Sequence, residues 1–189
     1  MKTMKRTGII LLILALASTS FAQFGRDPLT QTEIQDLREA RQDPEARLKL
    51  FVRYARLRMD SIDRMRNDPR VAATRGPELH DLLEDLGKLV EEMDDNVEMY
   101  AKDKWDIRKP LKEVVAADTE FQQKLTAMRD NAKTDAAAGE ELRKNYQFVL
   151  DDTIEAVNSC LDGAKETLTE QEAIAKDKNT KNQLRKVNQ

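Results

Sequence analysis

Apolar residues recur at three- and four-residue intervals along most of the chain, the spacing of one face of an α-helix. Leu48, Phe51/Val52, Ala55, Met59 and Ile62 form one such stripe over residues 44–67. Leu79, Leu82, Leu86, Leu89, Met93, Val97 and Tyr100 form the most regular one, over 77–104. The third, over 110–132, carries Leu111, Val114/Val115, Phe121, Leu125 and Met128, and Asp118 interrupts it. The fourth, over 139–168, carries Leu142, Tyr146, Val149/Leu150, Ile154, Val157, Cys160/Leu161, Ala164 and Leu168, with Thr153 as its polar interruption. Ahead of them residues 30–41 predict a short helix, because Thr30 and Glu33 have the spacing of a capping box. Alternating β-branched runs and Asn-Gly or Asp-Gly hairpin turns are missing, so no strand is predicted.

Proline and glycine divide these segments. Asp27-Pro28, Asp43-Pro44, Asp68-Pro69 and Gly76-Pro77 read as stops or starts, since proline fits the first turn of a helix and disrupts its interior. Asp43 is placed to cap the 44–67 segment, and Gly139 marks a further break. Pro110 leaves two readings open: separate second and third helices, or one helix kinked there. Four apolar stripes with short connections predict an all-α fold, an antiparallel four-helix bundle with a short N-terminal helix and a polar C-terminal tail. The expected organisation is a leader over 1–22, an N-terminal segment over 23–43, the bundle over 44–175 and a basic tail over 176–189. Among its large apolar groups the tail has only Leu184 and Val187, too few to fold alone, so it reads as a frayed helix extension or a mobile tail.

The leader has the three parts of a secretory signal. Lys2, Lys5 and Arg6 supply positive charge, Ile9 to Ala17 is an unbroken apolar run, and Ser20-Phe21-Ala22 offers a small-residue cleavage site. Cleavage between Ala22 and Gln23 is expected, with export to a periplasm or the exterior. The apolar run is well short of the roughly 20 residues a spanning helix needs. With no other long apolar run, no transmembrane segment is expected after cleavage.

Charge refines the picture. Those three basic residues are the leader's only charges, so the net charge of −3 becomes −6 without it. Residues 44–75 carry nine basic and four acidic groups, whereas 76–106 carry three and eleven. The 139–175 stretch is acidic as well. An up-down-up-down bundle would let the basic helix neighbour both acidic ones. The acidic balance and export disfavour nucleic acid as a partner. The arginines of 44–67, namely Arg47, Arg53, Arg56, Arg58, Arg64 and Arg66, are too many for one seam. Some are expected to face the acidic helices and others to form a solvated basic surface, with an anionic envelope component as the alternative partner for that face and the basic tail.

Candidate chemistry is sparse. The one Cys excludes an internal disulfide framework, and the one His excludes a multi-histidine metal centre. His80 sits near Glu78, Asp81 and Glu84, but the Glu-x-x-His pairs of carboxylate-bridged di-iron bundles are not matched. Glu91-Glu92-Met93-Asp94-Asp95-Asn96 lacks the alternating ligands and glycine turn of a calcium loop, and Met93 belongs to the apolar stripe. Haem ligation would need His80 with one of the methionines, of which Met59, Met93 and Met128 sit on the apolar stripes and read instead as core gap-fillers. Cys160 reads as a buried thiol. Asp118 and Thr153 read as register-setting polar groups or a wet patch. No catalytic, cofactor-binding or metal residue is nominated, and no enzyme is expected.

Leu29-Thr30-Gln31-Thr32-Glu33 and Leu168-Thr169-Glu170-Gln171-Glu172 resemble the LTxxQ signature of small periplasmic helical chaperones and stress sensors of the Spy/CpxP type. Glu33 and Glu172 depart from it where the signature has Gln, and a capping box explains each copy equally well. The resemblance implies an exported, all-α, cofactor-free chaperone or sensor. The preferred expectation is an exported, non-catalytic helical bundle acting through protein or envelope contacts. The chaperone and a haem- or metal-binding bundle stand as alternatives.

Overall fold

The computed structural model describes the backbone of residues 26–72, 74–134 and 136–187, and the side chains of these apart from 136–138 and 178–187. The expected leader and its cleavage site lie outside the described residues. Among the described residues all regular structure is helical. The elements are α1 (Gln31–Glu39) with a 3-10 turn at Ala40–Gln42, and α2 (Pro44–Asn67) with a second turn at Pro69–Val71. They continue with α3 (Arg75–Lys102), α4 (Arg108–Thr134), α5 (Ala136–Asn145) and α6 (Gln147–Val187).

Local chemistry accounts for most of the boundaries. The Thr30 hydroxyl accepts from the Glu33 amide and the Glu33 carboxylate accepts from the Thr30 amide, closing the capping box of α1. Asp43 accepts from the Ala46 amide at 3.0 Å and Pro44 opens α2. α3 and α4 are separate helices. Lys104 takes the left-handed conformation at φ 61°. Its amide donates to Ala101 and the Trp105 amide donates to Tyr100, which is the two-bond Schellman termination. Pro110 is the third residue of α4, within the first turn, where its missing N–H costs nothing.

The last predicted helix differs from the structure. It starts earlier, as α5, and bends at Tyr146 before α6. The helical run is interrupted there although Tyr146 keeps its own two bonds, donating to Leu142 and accepting from Leu150. Its side chain is buried, α5 packs mainly on α4, and α6 packs along both α3 and α4. No proline or glycine lies at the bend, so no residue announced it. The backbone of α6 continues through Val187, sixteen residues beyond Gln171, or roughly 24 Å of helix.

The stripes meet in one apolar core containing Leu48, Phe51, Met59 and Ile62 of α2, with Phe121 and Leu125 of α4. Burying a side chain of this size stabilises by roughly 1.5–3 kcal/mol. On α3 the buried set is wider than the predicted stripe. Leu83 and Val90 are fully buried, whereas Leu82 is only partly so. The reason is that α3 packs on two sides, against α2 and against α6.

The packing order corrects the charge-based expectation. α2 packs on α3 and α4, and α6 packs on the same two helices, so α2 and α6 sit opposite each other, as do α3 and α4. Directions follow from cross-helix pairs. Arg47 meets Asn96 while Arg75 reaches back to Asp68, so α2 and α3 are antiparallel. Gln122 pairs with Asn158 and Lys112 with Glu172, so α4 and α6 are antiparallel as well. Glu45–Lys109, Lys49–Glu113 and Arg56–Glu120 march in step, so α2 and α4 are parallel. Leu83 meets Thr153 and Asp94 meets Ser159, so α3 and α6 are parallel. The basic helix therefore neighbours one acidic helix, and the two acidic helices lie side by side. Exposed ion pairs are worth only about 0–1 kcal/mol each, too little to set helix order against burial of the apolar stripes.

Candidate functional site

A groove lies at the end of the molecule where α1, the N-terminus of α2 and the C-terminus of α3 converge. Its lining includes Met99, Tyr100 and Trp105. The Schellman turn places Trp105, the chain's one tryptophan, outside the helix, where it is 49 % exposed, and Met99 is 46 % exposed. Gln171 of α6 steadies this turn by donating to the Trp105 carbonyl and accepting from the Ile107 amide. Tyr100 is 4 % exposed, and its hydroxyl has no hydrogen-bond partner among the described residues. Burial pushes its pKa up against the opposing pull of Arg47.

The two walls of the groove differ in sign. Arg38 and Arg41 lie on the α1 side, while Asp95 and Asp103 lie on the α3 side. Arg47 is held in place by Leu37, Asn96 and Glu92 and stacks over Phe51 with 5.4 Å to the ring centre. Arg38 and Arg41 are exposed and have no ion pair among the described residues. Sequence reasoning did not find this site. Trp105 and Met99 lie off the apolar stripe, and the convergence of α1 with the far end of α3 is a tertiary event.

The residues weighed from sequence are placed elsewhere. His80, Asp81 and Glu84 bring one ligand atom each to within 4.8 Å of one another. Cations already occupy two of them: Arg26 pairs with Asp81 and Lys88 with Glu84. The Lys88 ammonium is the main reason that the Glu84 carboxyl is held below its usual range. The His80 side chain is 46 % exposed, whereas Met59, Met93 and Met128 are buried in the core. Glu91, Asp94 and Asp95 line a cleft with Asp152 and Glu155 of α6, a consequence of the two acidic helices being neighbours.

Asp118 is fully buried and neither carboxylate oxygen has a hydrogen-bond partner among the described residues. Burial pushes its pKa up to about 7; the Cys160 thiol beside it pulls the other way and Asp94 adds to the rise. Cys160 is itself buried, and desolvation drives its thiol far above the ordinary range. That protonated thiol is no nucleophile. Thr153 lies within hydrogen-bonding distance of the Leu83 carbonyl across the helix interface and of Val149 on its own helix. It thus serves the register of α3 on α6. The second LTxxQ-like stretch is no capping box: Thr169 lies inside α6 and donates to the Lys165 carbonyl.

The molecule so defined is an all-helical bundle with a groove of mixed charge at one end. No protein-family model, no curated protein and no solved structure matches this chain. Among the described residues no helix is long and apolar enough to cross a membrane.

Proposed function

We propose that this is an exported, non-catalytic helical bundle that acts by docking another protein at the groove around Trp105. Its four long helices are read as two antiparallel pairs, α2/α3 and α4/α6, laid side by side. The observation that supports the reading is the half-exposed Trp105 and Met99 in a groove also lined by charges that have no ion pair among the described residues. Tryptophan and arginine are enriched at the centres of protein interfaces, where a few side chains carry most of the affinity. The Gln171 brace favours a preformed surface, which lowers the ordering cost of association.

The test uses the full chain, expressed with its own leader and recovered from the envelope fraction. The expected intact mass corresponds to cleavage after Ala22. A photo-crosslinking side chain at position 99 should yield a discrete protein adduct that the same group at exposed position 148 does not. Trp105→Ala should abolish it. Equal crosslinking from both positions, or a leader-retaining protein outside the envelope fraction, would overturn the proposal. Suppression of client aggregation at near-stoichiometric amounts would turn it toward the chaperone reading.

A further inference from the structure

The groove's chemistry specifies its occupant. We infer that it takes an extended peptide segment in which a large apolar side chain is flanked by one acidic and one basic residue. The inference rests on the docking proposal above and adds the identity of the ligand.

Three observations carry it. Met99 and Trp105 are the half-exposed apolar surface of the groove, matched by a large apolar side chain. Arg38 and Arg41 on one wall, and Asp95 and Asp103 on the other, have no ion pair among the described residues. The opposed charges do not close on each other across the groove, which leaves both signs open to a ligand lying between them. A purely anionic ligand would satisfy the arginine wall and be repelled by the aspartate wall. A segment carrying both signs satisfies the two together, as charge complementarity at interfaces requires. A second copy of the chain is the poorer occupant, because a two-fold axis places the same concave surface on both sides. Two hollows then face each other, whereas an extended peptide presents a convex side chain.

Trp105 is its own reporter, because no other tryptophan contributes to emission. The full chain is titrated with acetylated, amidated nonapeptides bearing a central Phe, with Glu two residues to one side and Lys two residues to the other, in both orders. Controls replace Glu and Lys by Gln, or Phe by Ala. Far-UV circular dichroism checks the fold of the double variant Arg38→Gln/Arg41→Gln, and the peptide series on the unaltered chain stands without it. The expected result is a saturable blue shift for a charged Phe peptide, with affinity three- to tenfold above that of its Gln counterpart. That difference should collapse in the double variant, and the Ala peptide should not bind. Equal affinity for charged and uncharged Phe peptides would overturn the inference and leave docking at the groove standing. No saturable shift with any peptide, together with a shift on phosphatidylglycerol vesicles, would overturn it in favour of a lipid surface. No shift with either would overturn the inference outright, and the crosslinking at position 99 would then decide the docking proposal by itself.

Discussion

Arg58 of α2 grips Glu33 of α1 through two hydrogen bonds, of 3.0 and 2.7 Å, while Glu33 also closes the capping box with Thr30. The same guanidinium donates to the Pro28 carbonyl at 2.6 Å. One pair thus fastens the N-terminal segment and starts its helix. Burial alone would raise the Glu33 pKa, but Arg58 and the Thr30 amide outweigh it and hold the carboxyl below its usual range.

Arg58→Ala leaves a carboxylate that is only 10 % exposed without its partner. We expect a loss of roughly 3 kcal/mol in urea unfolding at pH 7, the scale for stripping one partner from a buried pair. A folded-state pKa below the unfolded value means that the stabilisation is present above about pH 4.5 and fades as pH falls through the lower folded value. The difference between variant and parent should therefore shrink at acid pH. A difference that stays constant down to pH 2 would refute this assignment.

Asp118 predicts the opposite slope. Its folded-state pKa of about 7 lies above the ordinary 3.8, so the folded chain keeps a proton that the unfolded chain releases. Stability then falls as pH rises from about 4 to about 7 and levels off above. At about 1.4 kcal/mol per pH unit, the total is on the order of 4 kcal/mol. Asp118→Asn, neutral throughout, should be more stable than the parent at pH 8 and show a flatter profile over this window. Identical profiles for the two chains would remove Asp118 as their source.

Lys104 holds a left-handed conformation that costs a side-chain-bearing residue about 1–2 kcal/mol. Lys104→Gly keeps the Schellman bonds and relieves that cost, so a gain of about 1 kcal/mol in thermal unfolding is expected, reduced by the greater freedom of glycine in the unfolded chain. A fall in stability would show that the lysine side chain supports the turn in another way.

Gly139 supplies the close approach between α5 and α4. A Cβ there would lie 2.5 Å from the Ala132 carbonyl oxygen, a backbone atom that cannot step aside. Gly139→Ala should cost roughly 1–3 kcal/mol, the scale of overpacking, despite alanine's better helix propensity. Unchanged stability in chemical denaturation would mean that the α4–α5 reversal is looser than its geometry.

Much of the helical content was legible without coordinates. The 44–67 segment matched α2 because Asp43-Pro44 announces a start and a regular stripe follows. Thr30 and Glu33 announced α1 in the same way, since a capping box is a contact within four residues. The bend at Tyr146 was not legible, because the change of packing neighbours at that point lies outside the local sequence. The false capping box at Thr169 failed for a related reason: α4 and the Trp105 turn support α6 through this stretch, and a capping signal inside a supported helix goes unused.

The candidate groove shows the same division. Its members come from residues 38–47, 95–103 and Trp105, and nothing in their spacing links them. Hydrophobic periodicity determines which residues form helices and which face of each is buried, because those choices are settled within a few turns of chain. Which helices become neighbours was decided only by tertiary packing. The connection between α3 and α4 is five residues long, enough to span roughly 17 Å and place these successive helices on opposite sides of the core. Charge pattern favoured another order, but surface ion pairs are weak beside burial of the apolar faces along which α3 and α6 pack, which brings the two acidic helices together.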